Sequence, residues 1–156
     1  MMPPIQPGFP RPFVWLAMAH WSQDYIGIPH APHGIDRQSG VNCWTLVCLT
    51  YREQLGIDLP TYTGDFVSID EAAEIETLFA DEAAIRWSEV DTPAEFDLAI
   101  FRRGRFETHV GVVVRPGLML HVVGEDQAKL ERYDNGVWKP RLKRFLRHVE
   151  RLQVAA

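Results

Sequence analysis

The chain has only two cysteines, Cys43 and Cys48, five residues apart in the stretch GVNCWTLVC. So few cysteines exclude a disulfide framework, and on a helix a spacing of five turns the two side chains away from each other. No Cys-x-x-Cys pair exists, so a cysteine-based zinc site lacks its usual ligands, and neither metal nor cofactor is expected. No stretch reaches the roughly 18 to 20 apolar residues that a membrane span requires. The apolar piece FVWLAMA near the start is short and follows a single Arg11, unlike a secretory leader, so synthesis in the cytoplasm without a signal peptide is expected. Internal repeats are missing too. Positive charge is in deficit, with 16 Lys and Arg against 21 Asp and Glu, and the net charge of −5 argues against nucleic acid as a partner.

What is present fits one globular domain. A chain of 156 residues that is 46% hydrophobic can bury a core without staples, and five Trp and eight Phe point to a well-filled core or an aromatic-lined groove. Residues 1–12, MMPPIQPGFPRP, carry five prolines and read as an extended arm suited to docking on a partner. A short helix is expected over 13–21, then a loop over 22–40 punctuated by Gly and Pro, long enough to be functional. Asn42 is a candidate N-cap for the run CWTLVCLTYREQL, and Gly56 with Pro60 marks its stop. Ser68 and Glu71 form a capping box for a second helix through AAEIETLFADEA.

From Ile85 the hydrophobic period becomes two. FDLAIFR, THVGVVV and LMLHVV are strand candidates joined by RGRFE and RPG, with a last strand through LERYD or GVWKP. The tail 139–151 holds six of the sixteen cationic residues, and Leu142, Phe145, Leu146 and Val149 stand at helical spacing, predicting an amphipathic packing or docking element. Helices first and strands afterwards indicate an α+β fold.

A lone cysteine is most often a small buried hydrophobe, and Cys48, in mid-helix between Val47 and Leu49, fits that description. Cys43 stands at a helix start, where unpaired amides and the positive dipole end favour a thiolate and could hold an oxyanion. A nucleophile needs a base. Of six histidines, His109 and His121 lie within strand candidates, where a polar residue calls for a partner. A three-residue turn over 115–117 places Gly111 opposite His121 and both imidazoles on one face; a two-residue Pro-Gly turn shifts the register by one and separates them. In the first arrangement Cys43 attacks a carbonyl, His109 moves the proton and His121 orients His109. His30, His33 and Asp36 read as loop polar groups, with His30 near the cleft. Trp44 reads as a core anchor of its helix, and Arg102, Arg103 and Arg105 as a basic hairpin tip.

The segments GVNCWTLVCLTYREQLGIDLP and HVGVVVRPGLMLHV together resemble the NlpC-type cysteine peptidases, papain-like α+β hydrolases of bacterial cell-wall stem peptides, and most of all the versions in phage and phage-like tails. The resemblance runs from about Phe13 to Val123. It implies one NlpC-like domain over 13–156, a same-face register for the histidines, and Cys43, His109 and His121 as the catalytic set. Asn42, Trp44, His30 and Tyr25 become candidates for substrate or oxyanion contacts, since YIGIPH resembles the family's Gly-x-Pro-Tyr segment. Three positions depart from the pattern: Asn42 replaces Asp, Thr45 replaces Gly, and His30 replaces Tyr. Thr45 is expected to crowd the groove beside the nucleophile.

The resemblance implies a phage tail-tip endopeptidase, made in the cytoplasm and carried in the virion, acting on peptidoglycan stem peptides through a Cys43 thioester. Its partners would be tail-hub proteins bound through the N-terminal arm and the basic C-terminus. The rival reading keeps the fold without the chemistry, as a structural tail-tip protein. A third is a cytoplasmic amidase or acyltransferase acting on a non-wall amide.

Overall fold

The computed structural model describes residues 20–62, 72–124 and 126–152, with only the backbone given for 72–75. The Pro-rich arm, most of the expected 13–21 helix and the Ser68–Glu71 capping box lie outside these residues. Within them, a 3-10 turn Trp21–Tyr25 is followed by a two-stranded ribbon, β1 (Ile35–Asp36) and β2 (Gly40–Val41), then α1 (Cys43–Leu55) and α2 (Ala72–Arg86). The expected structureless loop therefore holds short regular pieces. The strands β3 (Trp87–Val90), β4 (Leu98–Arg103), β5 (Phe106–Arg115), β6 (Leu118–His121), β7 (Lys129–Arg132) and β8 (Leu142–His148) form one antiparallel sheet in the order β3-β8-β4-β5-β6-β7. Two helices followed by an antiparallel sheet make the fold α+β.

Local chemistry sets both ends of α1. The Asn42 side chain accepts from the amides of Trp44 and Thr45, and the Thr45 hydroxyl accepts in return from the Asn42 amide. Such a cap contributes about 1 kcal/mol. At the other end Gly56 turns left-handed (φ 67°), and the amides of Gly56 and Ile57 satisfy the carbonyls of Arg52 and Tyr51. Residues Trp44 to Tyr51 between these caps are all buried. One side of the helix packs Trp44, Val47 and Cys48 with Val110 and Val112 of β5, and the other packs Leu46 and Leu49 with Val114, Leu120 and Val122. A third cluster, Ala99, Phe101, Val113, Met119, Tyr133 and Trp138, lies on the other sheet face, as strand alternation requires.

The expected helix-spaced tail is instead β8, inserted between β3 and β4. Its charges are matched across the sheet: Arg147 forks onto Asp97 at 2.9 and 2.7 Å, and Arg144 reaches Glu107 at 3.1 Å. Residues 142–148 are thus part of the sheet, not a free docking element. GVWKP forms a turn leading into the 3-10 piece Lys139–Arg141, while KLER, overlapping LERYD, supplies β7.

Candidate active site

The hairpin between β5 and β6 decides whether the two histidines meet. Its turn is only Pro116 and Gly117, the length expected to separate them, but the register shifts between Val113 and Arg115. This bulge at Val114 adds back the residue that the short turn omits. Val112 then pairs with Leu120, and the continued register puts Gly111 opposite His121. A side chain at Gly111 would meet the Met119 sulfur at 2.6 Å, so only glycine leaves that face clear. His109 Nε2 and His121 Nδ1 consequently lie 2.8 Å apart, both rings buried.

A carboxylate fixes the direction of this pair. Glu131 on β7 accepts from His121 Nε2 at 2.8 Å. Since an ionised carboxylate only accepts, Nε2 of His121 carries the proton and its Nδ1 must accept. His109 then donates through Nε2, which leaves its Nδ1 as the lone pair available to a thiol. Trp138 stacks on His109 with ring centres 4.7 Å apart and planes 22° apart, holding the imidazole flat. Neither Glu131 nor Trp138 was identified from sequence. Period-two alternation in KLER was the available signal for Glu131, whereas Trp138 lies in a turn with no period.

Cys43 begins α1 and is partly exposed. Because β6 ends at His121, the edge of β5 beyond Gly111 has no β6 partner, and the thiol lies along it. It donates to the Thr108 carbonyl at 3.9 Å and is hydrogen-bonded by the Val110 backbone, so it touches the residues on either side of His109. Among the described residues it makes no hydrogen bond to an imidazole. The enclosing protein pushes the thiol up to about 11, outweighing the Val110 amide and the Arg103 charge that pull it down. Burial first, then the neighbouring His121 and the charges of Arg103 and Arg141, hold His109 well below the ordinary histidine value. Both shifts favour the neutral forms, a thiol at Cys43 and an imidazole at His109, over the helix-stabilised thiolate expected from position alone.

The remaining candidates divide. Asn42 is fully engaged as the cap and donates through Nδ2 to the Pro32 carbonyl at 2.8 Å, a bond that an ionised Asp could not make. Its hold on the Trp44 and Thr45 amides also removes two of the donors expected to face an oxyanion. Thr45 does not crowd the groove: it is fully buried and its hydroxyl donates inward to the Gly34 carbonyl at 2.8 Å. His30 is bridged to Val41, two residues before Cys43, and its ring lies 3.9 Å from where a side chain on Gly124 would begin. Trp44 is a core anchor, with Nε1 donating to the Pro60 carbonyl at 2.7 Å. Tyr25 lies elsewhere, buried with its hydroxyl on Glu53, ten residues and about 15 Å along α1 from Cys43. Among the described residues no group of three or more His, Cys, Asp or Glu is placed to hold a metal.

Known proteins share this architecture. The model of the NlpC/P60 family matches residues 12–147. A Staphylococcus aureus protein described as similar to lipoprotein, NLP/P60 family, superposes with a TM-score of 0.59 at 19% identity, covering 89% of this chain and 42% of that one. The NlpC/p60 domain of the peptidoglycan hydrolase SagA gives 0.55 at 17% identity, covering 81% and 92%. A Bacillus cereus NlpC/P60 family protein gives 0.59 at 16%, covering 82% and 38%. The chain thus spans about two fifths of the Staphylococcus and Bacillus proteins and most of the SagA domain, and at these identities the likeness is one of fold. No curated protein matches the chain. With nearly its whole length matched by the family model, the chain belongs to the NlpC/P60 family.

Proposed function

We propose that the protein is a cysteine endopeptidase that hydrolyses an amide bond in peptidoglycan stem peptides. The observation that carries this reading is the line of hydrogen bonds Glu131–His121–His109, which leaves Nδ1 of His109 unprotonated, while Thr108, the strand residue before His109, accepts from the Cys43 thiol. Family membership and the solved peptidoglycan hydrolase domain of SagA support the substrate class.

In this mechanism the thiol turns from the Thr108 carbonyl to His109 Nδ1. Sγ attacks the amide carbonyl while Nδ1 takes its proton, and the oxyanion forms near the Cys43 amide. His109 returns the proton to the departing amine, leaving an acyl thioester. Water then gives a proton to Nδ1 and attacks the thioester, releasing a carboxylic acid and restoring the thiol. Trp138 and Glu131 keep the imidazole in one orientation, with a proton on Nε2 throughout. The resemblance to tail-tip proteins sets the proposed location at a phage tail, with neighbouring tail subunits as partners.

A second reading, a structural protein of the same fold, is favoured by the resting thiol, which hydrogen-bonds backbone and not imidazole. Digestion of purified muropeptides, read by mass spectrometry, separates the two. The enzyme reading predicts new amine and carboxyl termini with the natural protein and none with Cys43→Ala; intact muropeptides in both reactions would leave the structural role.

A further inference from the structure

Cationic side chains divide into two populations in this molecule. Arg86, Arg132, Arg144 and Arg147 each face a carboxylate, on Glu82, Asp134, Glu107 and Asp97 respectively. Arg102, Arg103 and Arg141 have no ion-pair partner among the described residues, although the chain as a whole carries an excess of acid. These three, with Gly104, line a single open cleft where the β4–β5 hairpin turns. Gly104 contributes no side chain to it, and a Cβ there would meet nothing within 4 Å.

Two of these arginines flank the proposed reaction centre. Arg103 follows Phe101 by two residues, and Phe101 is the β4 partner of His109. The Arg141 guanidinium, from the 3-10 piece before β8, lies 5.5 Å over the ring of Trp138, the ring that stacks on His109. Both charges act on His109, and that of Arg103 also acts on the Cys43 thiol. Unpaired guanidiniums lining one cleft match the planar, two-oxygen geometry of a carboxylate.

We propose that Arg103 and Arg141 form an anion subsite that takes a carboxylate of the peptide bound at Cys43. The peptide part of this inference rests on the endopeptidase reading; the anion part does not. The arginines carry no proton in the reaction. They hold the chain by a charged group next to the scissile amide, so their contribution appears in substrate binding more than in turnover.

Alkylation of Cys43 by anionic iodoacetate and by neutral iodoacetamide, read by mass spectrometry at pH 7 and low salt, tests the subsite without any peptide. The rate ratio of the two reagents should fall about fivefold to tenfold in Arg103→Gln/Arg141→Gln. Arg132→Gln, which removes one positive charge beside the β5–β6 turn, at the end of β5 away from the cleft, should leave the ratio within about twofold. An unchanged ratio in the double variant overturns the proposal. In the peptidase assay, the double variant should raise KM about tenfold or more for a peptide with a free carboxylate next to the scissile bond, with kcat little altered and its amidated counterpart unaffected. Equal effects on free and amidated peptides, or none on either, would also overturn it. A fallen alkylation ratio with no peptide cleaved by any variant would retain the anion subsite and defeat the endopeptidase reading instead.

Discussion

Cys43 and Cys48 lie on one helix, about one and a half turns apart, yet their surroundings differ in kind. Cys48 is buried between α1 and the sheet, donates to the Pro60 carbonyl at 3.6 Å, and is pushed far up, first by burial and then by the charge of Glu82. Cys43 is partly open and lies on an unpaired strand edge, and the charge of Arg103 draws it down where that of Glu82 drives Cys48 up. Burial dominates at both, so a helix start alone does not make a reactive thiol. What distinguishes Cys43 is its contact with the backbone of Thr108 and Val110, the strand neighbours of His109, where the imidazole line ends, and that line can be broken one member at a time.

The largest effect is expected from the nucleophile itself. Cys43→Ser should lower muropeptide hydrolysis by about a thousandfold or more, whereas Cys48→Ala should leave hydrolysis nearly unchanged and instead cost about 1 to 2 kcal/mol in urea unfolding. His109→Ala should reduce turnover by a factor of about a hundred to ten thousand. At Glu131, Gln retains an oxygen that can accept from His121 and Leu does not. Glu131→Leu should therefore lower turnover about tenfold and displace the pH profile, with Glu131→Gln recovering most of the loss.

Smaller effects concern stability. Thr45→Gly removes the hydroxyl that joins the Asn42 amide to the Gly34 carbonyl and introduces glycine into the first turn, so a loss of about 2 kcal/mol is expected in urea unfolding. Acid should also weaken the fold. Burial lowers His109, His121 and His148 in the folded chain, so the unfolded chain binds more protons just below the ordinary histidine value. Stability is then present in full above about pH 6.5 and falls as the pH drops below it. Thermal midpoints between pH 5 and 8 check this; a flat profile would show that these imidazoles are not held neutral by the fold.

The parts of the structure governed by neighbouring residues were the legible ones. The caps of α1 at Asn42 and Gly56 follow from side-chain chemistry within a few positions, and β4 to β6 follow from short apolar, β-branched runs closed by turn residues. The β8 strand was misread because Leu142, Phe145, Leu146 and Val149 also fit a helix. The choice is settled by partners such as Asp97, 50 positions from Arg147, which no local window contains. The histidine register depended on a bulge at Val114 that no residue type announces. Thr45 was expected to obstruct because its family counterpart is glycine; only the fold reveals that it turns inward to complete the cap with Asn42.

The measurement that tests the central claim most directly is the rate of thiol alkylation at Cys43 and Cys48, followed separately from pH 5 to 9 in the natural protein and in His109→Ala. If His109 takes the proton from a neutral thiol, Cys43 should react at least about tenfold faster than Cys48 at pH 7, with a rate nearly constant from pH 6 to 8. In His109→Ala that plateau should vanish, leaving a rate that climbs steadily with hydroxide. Equal labelling of the two cysteines, or a Cys43 profile indifferent to the loss of His109, would contradict the account.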